Sequence, residues 1–312
     1  MPIFHCPVGA AYYDSDSCIH CEMCHAKTAA DKVRATEIIR EYLRNEGAAN
    51  REKYKIKKVA VCGKGGVGKS TIVANMALAL HDLGYRVLVI DTDESNPGLG
   101  RKLGAKANPA PLLELTARFS TDQFDKAWFY ADTLTINDIP ATFRSESDGI
   151  DFMMSGKIDN PLQGCACAMG ELVKDLLEKI ELYDKEIVLV DNEAGVESFG
   201  RGLEQQVDTV ITVAEPSIDS LELSKIIYDM AQGIGIGRIR TIVNKVPAEM
   251  NREITKALRE QKIPYLGIVE QSSEVQKNSL YGRPIERDAT YESILAMTKL
   301  MLDEAEMPYL EE

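Results

Sequence analysis

Eight consecutive residues, Gly63-Lys64-Gly65-Gly66-Val67-Gly68-Lys69-Ser70, constrain this chain more than any other feature. They follow the apolar run Val59-Ala60-Val61-Cys62 and precede a stretch of helical periodicity, so the order is strand, small-residue loop, helix. Small residues let successive backbone N–H groups turn toward one anion, and the start of a helix adds positive potential. In the pattern Gly-x4-Gly-Lys-Ser, Lys69 reaches the β and γ phosphates and Ser70 ligates magnesium. Residues Gly63 to Ser70, with Thr71 just inside the helix, are thus the expected contacts for ATP or ADP and Mg2+.

Beyond the loop, short β-rich runs alternate with helical stretches: 59–62, 86–90, 150–154, 187–190, 209–213, 240–243 and 265–269. This rhythm predicts an α/β fold, a P-loop NTPase with a mostly parallel sheet flanked by helices. Residues 105–148 break the rhythm with scattered Pro, Asp and aromatic residues, including Trp128, and read as an insertion that faces a partner or caps a site. The domain expected over 58–306 is preceded by a polar, basic linker at 47–57 and followed by an acidic tail at 307–312.

Hydrophobic residues make up 45% of the chain and charged ones 27%, and no apolar run approaches the ~20 residues of a membrane helix. Residues 1–10 lack the basic and apolar pattern of a secretory signal, so a cytoplasmic protein is expected. A net charge of -13 argues against a nucleic-acid surface, and an acidic C-terminus argues against a membrane anchor.

Six of the seven cysteines fall in two groups. Cys6, Cys18, Cys21 and Cys24 occupy a segment, 1–46 with its helix at 26–45, that has too little apolar surface for a core of its own. Three cysteines at two-residue intervals plus a fourth suit a [4Fe-4S] cluster, with zinc as the rival, helped by His5, His20 and His25. Cys165 and Cys167 precede another helical pattern, where a helix N-terminus favours thiolates. Two ligands satisfy neither zinc nor a cluster, whereas a symmetric homodimer completes a set of four. Nickel, zinc or an Fe-S cluster are the occupants considered for that pair. Cys62, inside an apolar strand, reads as core.

The second lysine in KGGVGKS, Lys64, resembles that of the deviant Walker A family, which includes the nitrogenase iron protein and the plasmid-partition and cell-division-site ATPases. The resemblance implies a dimer in which Lys64 reaches phosphates bound by the opposite subunit; otherwise it is a solvated surface lysine. The run Asp91 to Asn96 resembles switch I, which gives Asp93 the task of orienting the attacking water. Asp191 to Gly195 resembles Walker B and switch II, with Asp191 on magnesium and Gly195 at the γ phosphate. Asn244 falls where the family contacts adenine, though a turn residue would look the same. Lys64, Lys69 and Asp93 are the catalytic candidates.

GCACAMG at 164–170, DNEAGVESFGRG at 191–202 and AEPSIDSL at 214–221 narrow the likeness to the CooC-type ATPases, nickel-insertion accessory proteins of carbon monoxide dehydrogenase and related acetyl-CoA synthase. This resemblance covers 57 to about 300 and implies metal at Cys165 and Cys167 on the dimer interface, with a carbon monoxide dehydrogenase-like client. The expected function is an ATP-dependent, dimerising maturation factor that delivers nickel. The alternative is an ATP-gated reductase, like the nitrogenase iron protein, with a cluster on the same cysteines. Spatial organisers acting on membrane or DNA come last.

Overall fold

The computed structural model describes residues 55–93, 98–116, 125–156, 166–192 and 203–310, with backbone alone at 166–168 and 204. Among these, eight strands form one sheet: β1 (Lys58–Gly63), β2 (Arg86–Asp91), β3 (Ser145–Ser147), β4 (Ile150–Met154), β5 (Glu186–Asp191), β6 (Thr209–Ala214), β7 (Arg238–Val246) and β8 (Tyr265–Glu270). Their spatial order is β3-β4-β2-β5-β1-β6-β7-β8, parallel throughout except for the β3–β4 pair. The seven expected strands are all present. The eighth, β3, pairs back on β4 through Asp148 and Gly149, whose φ values of 48° and 74° fit a two-residue hairpin turn.

Strand side chains alternate between two buried faces, which is why the central strands read as unbroken apolar runs. Val59, Val61, Val87 and Val89 face α1 (Lys69–Asp82), α2 (Leu99–Lys102) and α7 (Ala289–Glu304). Ala60, Cys62, Leu88 and Ile90 face α3 (Ala166–Lys179) and α4 (Ile218–Gly233). A smaller cluster packs α5 (Asn251–Glu260) against β7 and β8. The short α6 (Ser273–Leu280) is capped by the Ser272 side chain.

Two boundaries differ from expectation, and the insertion at 105–148, where described, is packed into the body: Phe129, Leu134, Ile136, Ile139 and Phe143 are buried in one cluster with Leu176 and Leu177 of α3. Its apolar residues close a sheet face through short turns, and turns carry no helical period to betray them. The linker expected at 47–57 ends early, because Ile56 is fully buried and the Lys57 and Lys58 amides donate to Asp208. The expected tail also belongs to the body as far as 310. Met307 is buried, Pro308 accepts the Tyr85 hydroxyl, and the Leu310 amide donates to Leu83. Cys62 is fully buried, as expected of a core residue.

Candidate nucleotide site

The carboxyl ends of β1, β2 and β5 meet beside the point where the sheet order reverses, since the chain leaves β1 toward β2 on one side and later places β6 on the other. Open α/β sheets bind ligands in that crevice. The loop Gly63–Gly68 sits there and runs directly into α1.

Two glycines are dictated by contact. At Gly63, φ is 147° and a Cβ would stand 2.3 Å from the Val213 carbonyl oxygen of β6. At Gly68, φ is 97° and a Cβ would lie 2.4 Å from Asn244 Nδ2. Either clash leaves no room for a side chain. Val67 is fully buried and anchors the loop, while Lys64, Gly65 and Gly66 are exposed at its mouth. Gly68 caps α1 without a side-chain hydrogen bond, so its first turn keeps donors for an anion. Thr71 lies in that turn, its amide bonded to the Gly68 carbonyl.

Lys69 is buried, and its Nζ donates over 3.4 Å to the carbonyls of Gly63 and Lys64. Asp191, at the end of β5, pairs in register with both Val61 and Asp91. It is 1% exposed, and neither carboxyl oxygen receives a hydrogen bond of ordinary geometry. Burial pushes its carboxyl up to about 6, although the Ser70 hydroxyl beside it and the Lys69 and Lys102 charges pull the other way. Asp91 is buried too; one oxygen accepts the Asp93 amide at 3.0 Å and the other lacks a partner. Burial and the neighbouring Asp191 hold it well above the usual carboxylate range.

Orphaned carboxylate oxygens at a phosphate loop are costly unless a cation joins them. Ser70 and Asp191 therefore fit a hydrated magnesium ion, with Asp91 behind them. Among the described residues no three His, Cys, Asp or Glu side chains are grouped to hold a metal unaided. Water and phosphate would thus supply the remaining ligands of such an ion.

Asn192 and Thr92 tie the strand ends together. Thr92 Oγ1 donates to the Asp191 carbonyl at 2.8 Å, and Asn192 Nδ2 donates to Cys62 Sγ at 3.4 Å. Asp93, partly exposed beyond Thr92, stands beside this cluster. Asn244 is buried, with Nδ2 donating to the Val67 carbonyl at 2.9 Å, so part of the amide expected to read adenine is used on the loop itself. Next to it, Lys245 donates through Nζ to the Gly66 carbonyl.

The structure thus gathers Gly63 to Thr71, Asp93, Asp191 and Asn244 at one end of the sheet. Gly195, Cys165, the Cys167 side chain and Cys6, Cys18, Cys21 and Cys24 lie outside the described residues. Sequence reasoning missed Asp91, Asn192 and Lys245. An aspartate ending an apolar run, two residues before Asp93, was the available signal for the first.

Known proteins resemble this chain in sequence and in fold. An uncharacterized ATP-binding protein of Methanocaldococcus jannaschii is 35% identical over 237 residues, 73% of this chain and 93% of the relative. The carbon monoxide dehydrogenase accessory protein CooC of Rhodospirillum rubrum is 37% identical over 202 residues, 62% of this chain and 76% of that protein. In fold, the chain is similar to the MinD cell division protein of Aquifex aeolicus, with a TM-score of 0.57 at 20% identity, covering 79% of this chain and 97% of that one. The family model of the CobQ/CobB/MinD/ParA nucleotide binding domain matches residues 58–285. With that match spanning most of its length, the chain belongs to the CobQ/CobB/MinD/ParA nucleotide-binding family and is a P-loop ATPase.

Proposed function

We propose that this ATPase is a dimerising metal-delivery factor, in which ATP closes two subunits and hydrolysis resets them around transfer of a metal ion, nickel first among candidates, to a carbon monoxide dehydrogenase-like client. The observation that carries the nucleotide half is Asp191, a buried carboxylate with unpartnered oxygens beside Ser70 and Lys69. The cargo half is supported by the similarity to CooC and by the Cys165-x-Cys167 pair in the sequence.

Within the site, Lys69 moves from the loop carbonyls to the β and γ phosphates, an exchange that its long 3.4 Å contacts permit. Magnesium, when bound, would neutralise phosphate charge. Asp93 orients the attacking water, Gly195 senses the γ phosphate, and the remaining amide groups of Asn244 meet the adenine edge. Lys64, exposed at the mouth, reaches the nucleotide of the opposite subunit, so that charge neutralisation across the interface couples association to ATP. Cys6, Cys18, Cys21 and Cys24 hold a [4Fe-4S] cluster, a reading supported by their spacing, with zinc the competing outcome of metal analysis. The net charge of -13 supports action away from nucleic acid, the acidic residues near the C-terminus support action away from membranes, and the lack of a signal pattern at 1–10 supports the cytoplasm. Among the described residues no helix is long and apolar enough to cross a membrane.

Sedimentation with and without ATP and Ni2+ tests this function. One ion per dimer at the Cys165/Cys167 pair is expected, with ATP raising metal affinity as much as metal raises association. Lys64→Ala should weaken that coupling. Metal bound by monomers and insensitive to nucleotide would refute the shared site.

A further inference from the structure

Lys245 stands out because its backbone φ is 59°, in the left-handed region where glycine is at ease. A lysine there costs on the order of 1 kcal/mol. It is also the exposed residue in an otherwise buried strand, β7. The cause is a break in pairing: the register between β7 and β8 shifts between Val243 and Val246.

In a regular strand, successive side chains point to opposite faces. An irregularity re-aims one of them. Here Asn244 and Lys245, adjacent in sequence, both turn to the phosphate loop. Asn244 Nδ2 takes the Val67 carbonyl and Lys245 Nζ takes the Gly66 carbonyl, two successive carbonyls gripped by two successive side chains. In a trans peptide the C=O and the following N–H point in opposite directions. Holding the carbonyls of Gly66 and Val67 from β7 therefore aims the amides of Val67 and Gly68 away from β7, toward the phosphates.

We propose that Lys245 is a positioning residue of the phosphate loop, acting with Asn244 as a clamp that orients loop amides before nucleotide arrives. The proposal rests on the nucleotide-site reading above. It gives the third lysine of the site a task on the protein backbone, distinct from the phosphate contacts of Lys69 and Lys64. It also accounts for Gly68, since any side chain there would collide with the Asn244 amide.

Titration of the full-length protein with Mg-ATP and with tripolyphosphate, a probe without a base, separates the readings. Lys245→Gly removes the clamp while relieving the backbone, so its melting temperature should match or exceed that of the wild type. Both dissociation constants should nevertheless rise about five- to tenfold, the net worth of one ordinary hydrogen bond made by an exposed side chain. In turnover, KM should rise with kcat held within about twofold, the pattern of lost uniform binding. Lys245→Arg, which keeps a donor on a long stem, should restore much of the affinity. Weakened ATP binding with unchanged tripolyphosphate binding would assign Lys245 to the base and overturn the clamp, as would unchanged affinity for both probes. Wild-type protein that binds neither would overturn the nucleotide site itself.

Discussion

Replacing Asp191 by asparagine should make the ligand-free protein more stable while depriving it of magnesium-dependent stabilisation. The carboxyl titrates at about 6 in the fold against an ordinary value of 3.8. That gap of about 2 units at 1.36 kcal/mol each puts the cost of its ionised form on the order of 3 kcal/mol. Asparagine removes the charge but buries an amide, and an unsatisfied amide forfeits roughly 1–2 kcal/mol of the gain. The net effect is about 1–2 kcal/mol, or roughly 3–6 °C in melting temperature for a domain of this size. The sign depends on pH. Because the folded pKa lies above the unfolded one, the native state retains the proton between 3.8 and about 6, and the stability this contributes falls as pH climbs through that window. The variant's advantage should therefore be full at pH 8 and much reduced at pH 5. Thermal unfolding by circular dichroism at both pH values, with and without Mg-ATP, measures all four states. A ligand-free Asp191→Asn protein that melts below wild type at pH 8 would show that the carboxylate is not strained by burial, and the magnesium-site argument would fall with it.

Lys69→Ala should abolish nucleotide binding measured by calorimetry, since among the described residues no other buried ammonium lines the loop; normal turnover would remove the loop from the mechanism. Asp93→Asn should bind ATP but hydrolyse it at least ~100-fold more slowly, leaving ATP-bound dimers that persist in sedimentation. Gly63→Ala should cost about 2 kcal/mol or more in denaturant unfolding, because the added methyl meets a backbone carbonyl held in the sheet.

The strands were legible because a sheet buried on both faces demands continuous apolar runs, and Val87 to Ile90 or Ile187 to Val190 have no other reading. The phosphate loop was legible because its glycines answer local constraints. Segment 105–148 was not, for Phe129 and Phe143 are buried by contacts to α3, far along the chain. The β3–β4 hairpin was not legible either, because the run Ser145-Glu146-Ser147 is too short and polar to read as a strand. Asp91 eluded a reading that assigned only the second aspartate of the pair; its link to Asp191 comes from strand register, which crosses 100 residues of sequence. Lys245 was hidden for a similar reason, since the shift in β7–β8 pairing that turns it toward Gly66 is a property of two strands together.

The contact between Ile56 and Met307, whose sulfur accepts the Ile56 amide at 3.1 Å, brings both ends of the folded body to one pole. That pole lies at the amino ends of the strands, and six residues of β1 put the phosphate loop about 20 Å away at the other. A probe attached at Lys55 or Leu310 therefore sits at the pole opposite the phosphate loop and can report on the body without touching the nucleotide.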